Sequence, residues 1–538
     1  MVNYDLIIRN GTIYDGSGNS SYIGSLAINK DKIVALGSLE HDTANLEINA
    51  TNLAVTPGFI NMLSWATDSL IEDGKSQSDI RQGVTLEVLG EGWSMGPLNE
   101  SMKKEMIERQ GDIKYSIEWT TLSEYLQYLE QKGVSTNIGS FIGTATVRIH
   151  ALGYEDRRPT PSELDQMKAL VDQAMQEGAF GVASALIYPP GIFADTRELI
   201  ELCKVASKYN GMYISHLRSE GDQFLEAFDE FLTIAKEANI RAEIYHLKAS
   251  GKSNWHKLDI ITDKINQVRK DGLHITTDMY TYTAGATGLN SLIPPWAHEG
   301  GHNDLIKRLK DLSLRKKIKD EILSPSATSW ENMYLKTGPD NILLISFKNE
   351  SLKHLTGKTL AEISTDRKSP PLETAMDLII EDDSRIGTVY FLMTEENIRK
   401  KIQLPYMAFG SDEGSYSPEG IFLKSNCHPR AYGNFSRLLG HYCRDEGLIT
   451  MAEAIYKLTK LPVSNLMISK RGQLKKGYFA DITIFDPYTI KDHATYAEPH
   501  QFSTGMIHVF VNGVQVLKNG VHTGATPGRV VRGPGWKK

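Results

Sequence analysis

Between residues 162 and 278 the chain repeats one pattern four times: an amphipathic helical segment, then a short apolar strand. Residues 162–177, 196–209, 223–238 and 258–271 carry apolar side chains at helical spacing. They precede Phe180-Gly181-Val182-Ala183-Ser184, Met212-Tyr213-Ile214-Ser215-His216, Ala242-Glu243-Ile244-Tyr245-His246 and His274-Ile275-Thr276-Thr277-Asp278. Strands that alternate with helices in units of about 30 residues pair in parallel, because each helix carries the chain back to the same edge. A parallel sheet needs cover on both faces, and this many units predict a closed (β/α)8 barrel over about residues 57–470.

The two ends read differently. Residues 1–56 are short strands broken by Asn10-Gly11 and Asp15-Gly16, dipeptides that tolerate positive φ and mark hairpins. Ala480-Asp481-Ile482-Thr483-Ile484-Phe485 and Ile507-His508-Val509-Phe510-Val511-Asn512-Gly513 repeat that style. The expected fold class is therefore α/β: a distorted (β/α)8 TIM barrel with a small β-sandwich domain built from both termini, residues 1–56 and 471–538. The rhythm breaks at about 290–365, where Pro294-Pro295, a lysine-rich helix and Pro325 predict an insertion or lid.

A formal net charge of −7 with no basic stripe argues against a nucleic-acid partner. No run of about 18 apolar residues offers a membrane span, and the first nine residues lack the features of a signal peptide. Three cysteines are too few for a disulfide framework and suit a reducing compartment. The expectation is a cytoplasmic protein with neither nucleic acid nor membrane as partner.

Barrel enzymes place their chemistry at the C-terminal ends of strands. His216 and His246 end strands thirty residues apart, one β-α unit, so they belong on neighbouring strands. Strands about 4.8 Å apart let two imidazoles reach one metal at about 2.0–2.1 Å. Asp412 follows a later strand, Tyr406-Met407-Ala408-Phe409-Gly410-Ser411. His150, after Thr144-Ala145-Thr146-Val147-Arg148, lies in another apparent strand end and is a further pocket residue to check.

Longer motifs carry a resemblance. Val55-Thr56-Pro57-Gly58-Phe59-Ile60 and the segment from Gly472 to Ile482 resemble the barrel entry and exit of amidohydrolase-superfamily enzymes. More narrowly, Tyr188-Pro189-Pro190-Gly191, Ser215-His216-Leu217-Arg218, His246-Leu247-Lys248 and Asp278-Met279-Tyr280-Thr281-Tyr282 resemble the N-acyl-D-amino-acid deacylases, or D-aminoacylases. So do Leu292-Ile293-Pro294-Pro295-Trp296, Gly410-Ser411-Asp412 and His428-Pro429-Arg430-Ala431-Tyr432-Gly433. The resemblance implies that His216 and His246 hold the tighter-bound metal. It implies that Asp412 takes a proton from the activated water and passes it to the leaving nitrogen. Lys248, Tyr282 and Arg430 match residues that hold the substrate carboxylate, and Tyr188 matches one that shapes the acyl or side-chain pocket.

The chain departs from the family pattern at the metal site. Where the superfamily carries His-X-His at the end of the first barrel strand, this chain has Leu63 and Trp65. Leucine binds no metal, and an indole N–H is a donor only. The bridging cysteine of the family is also missing: an ungapped match puts Gly92 there, with Glu91 one residue before. Glu91 becomes the third ligand with a one-residue shift; otherwise it is a carboxylate bonded to barrel-mouth donors or to Arg218. Cys427 is a substitute ligand by proximity to the Arg430 motif, or a buried small hydrophobe.

The implied activity is metal-dependent hydrolysis of N-acyl-D-amino acids, with zinc, one ion per chain, on His216, His246 and Glu91. The alternatives are a dipeptidase or cyclic amidase on the same catalyst, or a decayed ligand-binding protein.

Overall fold

The computed structural model describes residues 2–324 and 330–537, so Pro325 lies outside the described residues. Eight parallel strands run through the middle of the chain: β1 (Phe59–Asn61), β2 (Val84–Leu89), β3 (Asn137–Ser140), β4 (Gly181–Ala185), β5 (Met212–His216), β6 (Arg241–Ile244), β7 (Ile275–Met279) and β8 (Met407–Phe409). β1, β2 and β3 pair in that order, and β4 to β8 continue the series. The ring closes between β1 and β8, where Met62 N donates to the carbonyl of Phe409 at 3.0 Å. The result is a distorted TIM barrel.

The distortion has a visible cause. β3 stops at Ser140, and a two-residue continuation, Ile142–Gly143, pairs with β4 instead. The C-terminal segment lies against the resulting gap: Gly528 N donates to Val134 O at 2.7 Å, Val531 N to Ile138 O at 2.8 Å and Gly533 N to Gly178 O at 2.8 Å. These bonds satisfy backbone groups that regular strand pairing would otherwise have used.

Outside the barrel the helices form where the sequence supplies stops and starts. Thr160 and Asp195 cap Pro161–Gln176 and Thr196–Ser207 by accepting from backbone N–H groups three residues on. Phe224–Glu237 turns Phe224, Phe228, Phe231 and Ile234 inward, the spacing expected of one buried stripe. Thr144–Leu152 is a helix, not a strand end, and its His150 does not line the cavity described below. The β-branched run Thr144-Ala145-Thr146-Val147 imitates a strand but follows one that is already complete.

A nine-stranded sheet joins the two ends of the chain. Ala54–Pro57 pairs antiparallel with Ile482–Phe485, so the strand entering the barrel lies beside the one that leaves it. Leu6, Ile8, Leu26, Ile28, Ile33, Ile482 and Phe510 pack into one buried cluster beneath that sheet.

Between β7 and β8 the chain makes a long excursion with a three-stranded antiparallel sheet, Ala284–Gly288, Ile342–Ser346 and Gly387–Phe391, and its own apolar core. It is wider than the 290–365 expected from sequence. Pro371–Asp382 followed by Gly387–Phe391 reads locally as one more barrel unit, and only the antiparallel pairing assigns it to the insertion.

Candidate metal centre and active site

His216 ends β5, and His246 follows β6 by two residues. Their ring centroids are 4.5 Å apart. Glu91 reaches them from the loop after β2: its Oε1 lies 3.3 Å from His216 Nδ1 and 2.8 Å from His246 Nε2. One ligand atom from each of these three buried residues falls within 4.8 Å of the others, and no other such group of His, Cys, Asp or Glu occurs among the described residues. The spacing and the nitrogen-and-oxygen donor set fit a divalent ion such as zinc.

The one-residue shift from cysteine to glutamate has a local reason. Gly92 has φ of 63°, and a Cβ there would lie 2.6 Å from the Cβ of Ala185. No side chain fits at that position, so the donor comes from Glu91. Arg218 is occupied elsewhere, paired with Glu230 at 2.8 Å. Cys427 is buried and belongs to a separate apolar cluster with Ala431 and Tyr432, and burial pushes its thiol well up.

A second carboxylate stands behind the histidines, and sequence reasoning had not singled it out. Glu220 Oε2 is 3.4 Å from His216 Nε2, and its Oε1 is 3.2 Å from His246 Nδ1. Glu220 thus lies within ion-pair range of both imidazoles on the side away from Glu91, while the hydrogen-bond partner of His246 Nδ1 is Lys248 Nζ at 2.6 Å and His216 Nε2 has none among the described residues. The available signal was its place four residues after His216, in the same strand-end loop. Lys248 Nζ pairs with Glu220 Oε1 at 2.6 Å.

Burial opposes charge on Glu91, Glu220 and His216, and the attraction of their neighbours outweighs it. Burial alone would raise the carboxyls of Glu91 and Glu220, but the histidines, with Lys248 beside Glu220, hold both below the usual carboxylate range. Burial would lower His216, yet Glu220 and then Glu91 push it up to about 9. Two buried carboxylates converging on two imidazoles call for positive charge between them, which a proton or a divalent ion can supply.

Asp412 follows β8 with φ of 52°, and His246 has φ of 33°. Left-handed backbone at non-glycine residues costs roughly 1–3 kcal/mol and gathers at functional sites. Hydrogen bonds hold both residues: Asp412 N donates to Leu63 O at 2.8 Å, and His246 N donates to Asp278 Oδ1 at 2.7 Å. Burial raises the Asp412 carboxyl above its ordinary range, with Arg430 opposing. Arg430 Nη1 lies 2.8 Å from Asp412 Oδ2, and its guanidinium stacks 4.4 Å from the Tyr280 ring centroid.

These groups open onto a cavity of about 680 Å³ between the barrel mouth and the insertion. Glu91, His216, His246, Lys248, Asp412, Arg430 and Tyr188 all line it. The Tyr188 ring lies edge-on to His216, with centroids 5.3 Å apart. Tyr282 is not brought to this site. Its hydroxyl points to Asp492 at 3.4 Å, and Tyr280, two residues earlier, takes the cavity-lining place. His428 bonds locally, its Nε2 3.0 Å from Ala284 O. Trp65 and Trp93 line the cavity, whereas Trp296 donates to Glu321 at 2.8 Å.

Residues 356–517 match the model of the Amidohydrolase family. The chain is 28% identical over 536 residues to a D-aminoacylase of Alcaligenes xylosoxydans xylosoxydans, covering 98% of this chain and 97% of that one. A solved D-aminoacylase, whose binuclear metal centre is described in terms of one-metal activation and second-metal attenuation, superposes with a TM-score of 0.81 at 27% identity. The match covers 98% of this chain and 100% of that one. The N-acyl-D-glutamate deacylase of Bordetella bronchiseptica, solved with zinc and a phosphonate mimic of the tetrahedral intermediate, gives 0.80 at 26% identity, with the same coverage.

Proposed function

We propose that this chain, which carries an amidohydrolase-family domain and is similar end to end to the D-aminoacylases, hydrolyses the amide bond of N-acyl-D-amino acids. The products are a carboxylic acid and a D-amino acid. The observation that carries the reading is a single cavity lined by the Glu91–His216–His246 donor set together with Asp412 and Arg430.

Glu91, His216 and His246 would hold one zinc ion. Zinc there supplies Lewis acidity, drawing the pKa of a water from about 15.7 towards 7 and polarising the scissile carbonyl. Asp412 accepts the proton of the attacking water and delivers it to the leaving nitrogen, a task suited to a carboxylate whose affinity for protons burial has raised. Tyr188 borders the acyl or side-chain pocket. Lys248 is held by Glu220 at 2.6 Å, whereas Arg430, paired with Asp412 at 2.8 Å, lines the cavity with a planar fork of five N–H donors, more than Asp412 engages, and is the cation for the substrate carboxylate. The chain's three cysteines are buried and free, in keeping with a reducing cytoplasm. No helix among the described residues is long and apolar enough to cross a membrane.

The test is a panel of N-acyl-D-amino acids, their L-enantiomers, dipeptides and cyclic amides, assayed with and without chelator. Turnover confined to chelator-sensitive hydrolysis of the D-series is expected. Preference for dipeptides or cyclic amides would move the chain to another substrate class, and no turnover in any arm would leave a binding protein. In the same panel Arg430→Ala should lower kcat/KM for the acids by about tenfold or more, since a hydrogen bond to a charged group contributes roughly 1.5–3 kcal/mol. The matching carboxamides should lose much less. Equal losses on both would remove Arg430 from carboxylate recognition.

A further inference from the structure

In the closed ring β1 borders both β2, which leads to Glu91, and β8, which leads to Asp412. A side chain projecting beyond β1 therefore stands between the two carboxylates. The backbone there is clamped from both sides. Ser64 N donates to Val88 O at 2.8 Å, and Trp65 N donates to Glu413 O at 3.0 Å. With the main chain so held, the half-buried indole places Nε1 3.1 Å from Glu91 Oε2 and 3.2 Å from Asp412 Oδ1. The other Glu91 oxygen is the one that faces the histidines.

We infer that Trp65 is a positioning residue: its single N–H, shared by the two carboxylates, aims Glu91 Oε1 at the metal position and Asp412 at the attacking water. The inference rests on the metal-centre reading above. A carboxylate rotates freely about its last bond, and fixing one oxygen fixes the other. Two like-charged carboxylates drawn to one site also repel, and a donor between them offsets this without adding a formal charge. The N–H engages Asp412 Oδ1, and Arg430 meets the other oxygen, Oδ2, at 2.8 Å, so both oxygens of Asp412 are held in place. Packing alone asks only for an aromatic ring; the N–H is what packing does not require.

The experiment compares zinc-loaded wild type with Trp65→Phe and with a site-specific replacement of Trp65 by 3-benzothienylalanine, in which sulfur takes the place of the N–H and the ring shape is kept. Zinc affinity is read by competition with a chromophoric chelator, kcat and KM separately, and folding by thermal melting. Loss of a partner that orients a metal ligand typically weakens metal binding by about 10–100-fold. Both variants should show a loss in that range, with kcat down at least about tenfold and KM within about threefold. The sulfur analogue should melt close to wild type. If the analogue binds zinc and turns over like wild type, the N–H has no positioning role, even where Trp65→Phe is impaired through packing. If wild type itself takes up no zinc, the metal-centre reading fails first and the role of Trp65 falls with it.

Discussion

Alanine at His216 or His246 is expected to empty the centre of metal and abolish turnover together. Each removes one of three donors and leaves Glu91 and Glu220 buried, without one of the imidazoles that offset them. A metal supplies several kcal/mol of transition-state stabilisation, and each 1.4 kcal/mol is tenfold, so kcat/KM should fall by roughly a thousandfold or more. Metal content per chain, measured by elemental mass spectrometry after dialysis, should fall in parallel. A variant that retains full metal while losing activity would assign the histidine to substrate contact rather than ligation. The two single variants should also be nearly as damaging as the double one, because groups that act as one unit are not additive.

Asp412→Asn should give the opposite pattern: metal retained, chemistry lost. Asp412 is outside the donor set, and asparagine keeps its shape and can still accept from the Trp65 N–H. What asparagine cannot do is take up a proton. General acid–base contributions of about 10²–10⁴-fold set the expected fall in kcat, with little change in KM. The acid limb of the pH–rate profile should go with it. Asp412 is ionised only above its pKa, which burial has raised, so wild-type activity should fall as pH drops through that value. A variant with normal kcat and an unchanged acid limb would contradict the assignment of Asp412 as base.

The parts of this account that were legible in the sequence are those that periodicity and strand ends encode. His216 and His246 were readable as neighbours because one β-α unit separates them, but the pairing of Met212 with Arg241 sets His216 opposite Tyr245, and His246, one residue further on, meets it at a left-handed backbone position. Glu91 was readable only as a carboxylate near a missing cysteine; the reason for the shift is the left-handed Gly92 and its contact with Ala185, a tertiary fact. Glu220 was hidden because a loop carboxylate becomes meaningful only when two imidazoles turn toward it. Tyr282 was misplaced for a related reason. Beyond the end of β7 nothing in the sequence says which of two alternate tyrosines faces the cavity, and the contacts with Asp492 and Tyr496 take Tyr282 away. Trp65 was legible as the loss of a ligand, but its gain of a shared donor role depends on where β1 sits between β2 and β8.

The most direct measurement of the central claim, a one-metal centre on Glu91, His216 and His246, is metal stoichiometry in wild type and Glu91→Gln, taken with and without excess zinc. One ion per wild-type chain is expected, unchanged in excess zinc, and Glu91→Gln should hold it at least about tenfold more weakly, because a neutral amide replaces a charged ligand oxygen. Two fully occupied ions in wild type, or a Glu91→Gln variant that binds and turns over like wild type, would contradict it.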